Sequence, residues 1–169
     1  DDILGSEFYL MDFINGEAPS DNPPYHMDPE GMVGKASKDE RRKIWTEWLN
    51  YLSQIHIINI DEINLNILDD KYRNNDPIDI DITYYQNFLD WGMDGEDNPL
   101  CNDVIKWLKE NKPKKHNALS LCWGDSRPGN ILYQDFKATA LLDWEMATYG
   151  DPISDIAWGL AVDDASSIG

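Results

Sequence analysis

The sequence predicts an α+β domain, and three observations carry that reading. Ser37-Lys38-Asp39-Glu40 has the Ser-x-x-Glu spacing that opens a helix, and apolar residues follow it at three- and four-residue intervals. The last third of the chain holds short, mostly apolar runs at 118–122, 130–133 and 139–142, each too short for a helix. With 169 residues, 41% hydrophobic and 27% charged, the chain suffices for one domain around one core and is too apolar for a disordered tail.

Taken in order, Glu7 to Ile14 reads as a strand, and Asn15 to Gly34, with Pro19, Pro23, Pro24 and Pro29 among its residues, as an irregular loop. A helix then runs from the capping box to about His56, with Ile44, Trp45, Trp48, Leu49, Leu52 and Ile55 on one face. Residues 59–82 mix Asn and Asp with Ile and Leu and fit neither period, so they read as loop with short turns. A helix follows over 82–91. Another starts with Asn98 as cap and Pro99 at its first position, carrying Leu100, Val104, Ile105 and Leu108, and its lysine-rich end suits the negative pole of the helix dipole. After the three short strands, Asp155 to Val162 is a helical apolar run.

Fourteen Lys and Arg stand against 32 Asp and Glu, and a net charge of -18 repels a phosphate backbone, which excludes general nucleic-acid binding. Neither a membrane span nor a signal peptide is written in the chain, which reads as cytoplasmic. Cys101 and Cys122 sit among apolar residues and are expected as buried free thiols. The acidic stretch from Asp90 lacks calcium-loop spacing, and Asp76, Asp79 and Asp81 are expected in a solvated loop. His26, His56 and His116 are scattered singly and are expected to be solvated or capping rather than metal ligands. The chain opens on Asp1-Asp2 without an initiator Met, close before the first strand, and stops soon after a helical run, so a fragment of a longer protein is expected.

The chemistry concentrates late in the chain. In Trp123-Gly124-Asp125-Ser126-Arg127-Pro128-Gly129-Asn130 an Asp leaves one apolar run and an Asn enters the next, and Leu142-Asp143-Trp144-Glu145 closes a third. Phosphoryl transfer needs a carboxylate to orient the attacking hydroxyl and accept its proton, and hard oxygen ligands to hold magnesium on the phosphates. Asp125, Asn130 and Asp143 are the residue types required, and Arg127 places a cation beside the transferring group. Such residues also populate ordinary turns, and Asp-x-x-x-x-Asn alone is a weak signal.

Together with Gly150-Asp151-Pro152-Ile153-Ser154-Asp155-Ile156-Ala157, these segments resemble the aminoglycoside phosphotransferase/choline kinase-like family, whose fold is related to that of protein kinases. The family pattern is His-Gly-Asp-x-x-x-x-Asn, then Ile/Leu-Asp-Trp/Phe-Glu, then Gly-Asp-Pro-x-x-Asp-Leu-Ala. Within it, the chain most resembles the subgroup related to the kinase-like domain found beside acyl-CoA dehydrogenases. The resemblance implies Asp125 as catalytic base, Asn130 and Asp143 as magnesium ligands, Glu145 as a secondary metal or substrate contact, and Asp155 as support of the catalytic loop through backbone hydrogen bonds. Trp123 stands where the family has His and is expected to support the loop by packing. Residues 1–16 correspond to the hinge strand, with the backbone of Met11, Asp12 and Phe13 meeting adenine, and 17–169 to the mainly helical larger lobe, with the catalytic loop at 123–130 and the metal-binding segment at 142–145. By the same resemblance the smaller lobe precedes residue 1 and further helices follow residue 169. The implied function is transfer of the γ-phosphate of ATP, with Mg2+, to a hydroxyl of a small molecule. The alternative is a non-catalytic kinase-like module that binds nucleotide or a partner.

Overall fold

The computed structural model describes residues 3, 5–8, 10–63, 65, 75–115 and 117–167. His116 and all of 66–74 therefore lie outside the described residues, as does Tyr9 of the expected first strand.

The helix expected from the capping box is α2 (Lys38–His56), preceded by the short α1 (Met32–Lys35), which the proline-rich loop conceals. Both halves of the box form: the Ser37 hydroxyl accepts from the Glu40 N–H, and the Glu40 carboxylate accepts from the Ser37 N–H. The buried stripe is narrower than the apolar pattern suggests, with Ile44, Trp48, Leu52 and Ile55 inside and Leu49 exposed.

Helix α3 (Pro77–Met93) begins five residues before the expected 82, inside the stretch assigned to loop. Its start is set by Asp76, whose carboxylate accepts from the Ile78 N–H, with Pro77 at the first position. Asp76 and Asp79 consequently do not form a solvated acidic loop: they open a helix and pair with Lys112. Helix α4 (Pro99–Asn111) is capped by Asn98 as expected, but only Ile105 of its apolar face is buried. The reason is partnership: α4 packs chiefly against α3, so Leu100 and Val104 find no covering layer among the described residues.

Among the described residues, four short strands form two antiparallel pairs. Strands β1 (Ser120–Cys122) and β4 (Thr148–Gly150) pair Leu121 with Tyr149, β4 being a strand the apolar pattern does not announce. Strands β2 (Ile131–Gln134) and β3 (Lys137–Leu141) form a hairpin in which Ile131 faces Leu141. Its turn residues Asp135 and Phe136 have φ of 52° and 61°, the mirror-image geometry that matches strand twist. The chain then enters α5 (Ile153–Ser167). The buried face of α2 lies across both pairs, and its Ile44, Trp48, Leu52 and Ile55 meet Leu121, Trp123, Ile131, Tyr133 and Tyr149 in one core.

The first expected strand does not form. Residues 7–16 make no ladder among the described residues, and the first pairing in the chain is a single bridge from Glu17 to Tyr133. A run of apolar and aromatic residues makes a strand only against a partner, and here Leu10 and Phe13 stand 91% and 88% exposed.

Candidate active site

The loop between β1 and β2 is gripped from two sides. Asp155 in the first turn of α5 is 1% exposed, and its Oδ2 and Oδ1 accept the backbone N–H groups of Trp123 and Gly124, each at 2.8 Å. His56, the last residue of α2, brings Nε2 to within 2.8 Å of Asp155 Oδ2. This corrects the expectation of a solvated or capping His56: the ring is partly buried and bonded to the carboxylate that holds the loop. From the other side Trp48 of α2 donates its indole N–H to the Ser126 hydroxyl at 3.0 Å, both fully inside. Two glycines permit this closeness. Gly124 has a φ of 91°, and a Cβ there would sit 2.2 Å from the Met146 carbonyl oxygen, while a Cβ at Gly159 of α5 would strike Trp48 and the Ser126 carbonyl.

Trp123 is completely buried, donates its indole N–H to the Leu142 carbonyl at 2.9 Å and packs on Trp144 with ring centroids 5.8 Å apart. The loop between β1 and β2 is thereby joined to the segment after β3.

Asp125 stands in the middle of the held loop. Its Oδ1 accepts the Trp158 indole N–H at 2.7 Å, its Oδ2 accepts the Asn130 amide at 2.6 Å, and Arg127 Nε lies 3.2 and 3.1 Å from the two oxygens. Burial pushes this carboxyl upward, but the bonds from Trp158, Asn130 and Arg127 outweigh it and hold the group below the usual carboxylate range. Arg127 is shared with Asp21 of the N-terminal loop, and although burial opposes its charge, the two carboxylates raise its basicity further.

Asn130 ends a 3-10 turn (Pro128–Asn130), and its carbonyl accepts the Leu142 N–H at 2.8 Å. That bond, with the Ile131 to Leu141 pairing, sets Asp143 beside Asn130 at the open end of the hairpin. Asp143 is exposed with a φ of 60°, and neither its carboxylate nor that of Glu145 has a hydrogen-bond partner among the described residues. The structure thus brings Asp125, Arg127 and Asn130 into direct contact and puts Asp143 next to them in the hairpin register. Met11, Asp12 and Phe13 have no backbone hydrogen bond to the described residues and are exposed.

A cleft of about 370 Å³ opens between α3 and the loop, lined by Tyr84, Tyr85, Gly124, Glu145, Ser154 and Trp158. Its aromatic members, with Trp48, His56 and Asp21, are the site residues that the sequence pattern misses. One local signal existed: Trp158 falls three residues after Asp155 in the same helix, a spacing that shares a face.

His56, Cys122 and Asp155 also place three potential ligand atoms within 4.8 Å of one another. Their chemistry is that of a hydrogen-bonded cluster: Asp155 already serves three N–H groups, and burial, with Asp155 nearby, pushes the Cys122 thiol up to about 12. Cys122 is buried as expected, whereas Cys101 is only half-buried. No helix among the described residues is long and apolar enough to cross a membrane.

Comparison with known proteins agrees with this geometry. The chain is 27% identical over 163 residues to human acyl-CoA dehydrogenase family member 11, covering 92% of this chain and 18% of that protein. It is 25% identical over 166 residues to the Arabidopsis thaliana probable acyl-CoA dehydrogenase IBR3, again covering 92% and 18%. The chain therefore spans less than a fifth of the length of these relatives. Among solved structures, one described as an aminoglycoside phosphotransferase from Ralstonia eutropha superposes with a TM-score of 0.65 at 22% identity, over 88% of this chain and 42% of that one, which shows the protein kinase-like fold. The model of the phosphotransferase enzyme family matches residues 1–168, and the chain belongs to that family.

Proposed function

We propose that this chain carries the catalytic loop of an ATP-dependent phosphotransferase acting on a hydroxyl of a small molecule. The observation that supports this most is Asp125: a carboxylate held in its charged form on a loop whose neighbouring peptides are tied to a buried Asp. In this reading the acceptor hydroxyl lies against Asp125, its oxygen bonds to the γ-phosphorus as the bond to the bridging oxygen breaks, and its proton passes to Asp125, leaving ADP. Arg127, anchored by Asp21, sets a fixed positive charge beside the reacting groups.

The donor set suits a hard divalent cation. Asn130 spends its amide N–H on Asp125 and keeps its oxygen without a protein donor among the described residues, and Asp143 keeps both carboxylate oxygens. Asn130 and Asp143 would hold Mg2+, with Glu145 as a further oxygen at the cleft. When bound, the ion supplies neutralisation of phosphate charge. The unpaired backbone of Met11 to Phe13 is where this reading puts adenine.

The test is ADP release by the protein with MgATP and a panel of small alcohols. Asp125→Asn is expected to lower turnover about 10²- to 10⁴-fold while nucleotide affinity stays within about twofold. Asp143→Asn is expected to lower affinity for MgATP and turnover together. Undiminished release from Asp125→Asn overturns the reading, and nucleotide binding with no turnover supports the non-catalytic module only where the smaller lobe expected before residue 1 is also present.

A further inference from the structure

A carboxylate offers roughly four lone-pair sites. Three N–H groups occupy those of Asp125: Trp158 on Oδ1, Asn130 on Oδ2, and Arg127 Nε shared between the two. A hydroxyl that approaches along one of these directions displaces the donor that holds it.

The three donors are held unequally. The Asn130 side chain bonds both the Asp125 carboxylate and the Asp125 carbonyl, and its backbone is bound on either side by Arg127 and Leu142. Arg127 is clamped between Asp125 and Asp21. Trp158 has only the one hydrogen bond among the described residues, is 36% exposed, and its ring lines the cleft with Tyr84, Tyr85 and Glu145.

We infer that the Trp158 indole N–H occupies the place of the acceptor hydroxyl on Asp125, so that an entering acceptor takes over Oδ1 and turns Trp158 into the wall of its own binding cleft. The inference rests on the phosphotransfer reading, and it adds the side of Asp125 from which the acceptor arrives and the residue that guards it.

The test uses the 15N-labelled chain with glycerol as probe hydroxyl. The chain has seven tryptophans, and the Trp158 indole signal is the one lost in Trp158→Phe. It is expected downfield of its position in Asp125→Ala, and glycerol is expected to move it toward that position while the other six indole signals stay in place. If Asp125→Ala does not fold, Asp125→Asn, which keeps the volume and removes the charge, gives a smaller shift in the same direction. A Trp158 signal that glycerol leaves unmoved, or that the Asp125 substitutions leave in place, overturns the inference. Neither result depends on turnover, so failure of the phosphotransfer reading is seen separately, as ADP release that Asp125→Asn does not diminish.

Discussion

The loop between β1 and β2 and the segment after β3 lie side by side and are built in opposite ways. From Trp123 to Asn130 every polar side chain is bonded to another residue, several across long stretches of sequence: Trp123 to Leu142, Ser126 to Trp48, Arg127 to Asp21. In the neighbouring segment Asp143 and Glu145 project into solvent with no protein partner among the described residues. Under the proposed phosphotransfer reading, the contrast matches what each region would do. A proton acceptor works only at a fixed angle and distance, which buried directional bonds impose. Ligands for a hard cation must keep their lone pairs free, and hydration preserves them until the cation arrives.

The sharpest way to break this contrast is to remove one carboxylate from each region and compare urea unfolding. Asp155→Ala strands one buried and one half-buried N–H group and His56 and is expected to cost about 3–5 kcal/mol. Asp143→Ala, exposed and unpaired, is expected to fall within about 0.5 kcal/mol of the unaltered chain. Equal losses would mean that the loop is not held by the Asp155 bonds. Trp48→Phe keeps an aromatic ring but removes the indole N–H that serves the buried Ser126 hydroxyl and leaves part of the ring's volume unfilled, an expected loss of about 1–3 kcal/mol or more by the same measurement.

Acid sharpens the comparison without a further cavity. The Asp125 carboxyl lies below its ordinary value in the folded chain, so its stabilising contribution is complete above the unfolded value of about 3.9 and is lost as the pH falls through the folded value. The stability gap between the unaltered chain and Asp125→Asn should be constant near neutrality and shrink below about pH 4; a gap independent of pH would show that Trp158, Asn130 and Arg127 do not favour the charged form. The smallest effect is on thiol labelling at pH 8. Cys122, fully inside and with its thiol pushed up to about 12, should stay unmodified while half-buried Cys101 reacts, giving a single adduct by mass spectrometry. Two adducts in the folded chain would show that the cluster beneath the loop opens.

Much of the local architecture was legible because local rules specify it. The Ser37 and Glu40 box and the Asn98 cap with Pro99 satisfy orphan N–H groups within one turn, so neighbouring letters suffice to place them. The Asp76-Pro77 start obeys the same rule, and its turn signal was obscured by the Asn- and Asp-rich residues before it. The three motifs around Asp125, Asp143 and Asp155 were legible for a different reason, since chemistry restricts which residue types serve at each place.

Tertiary structure alone decided the rest. Glu7 to Ile14 is rich in the apolar and aromatic residues that strands favour, yet its ladder depends on a second segment that no local pattern supplies. His56 reads as an isolated histidine because the carboxylate it meets is 99 residues away, and Trp48 reads as one more apolar letter although its N–H holds Ser126 from 78 residues away. Likewise the broad apolar faces of α2 and α4 were thinned to the residues that a neighbour covers. Periodicity along the chain states what a residue can do, whereas burial and hydrogen bonding between distant segments depend on how the elements pack, and that packing sets the partners of Asp125.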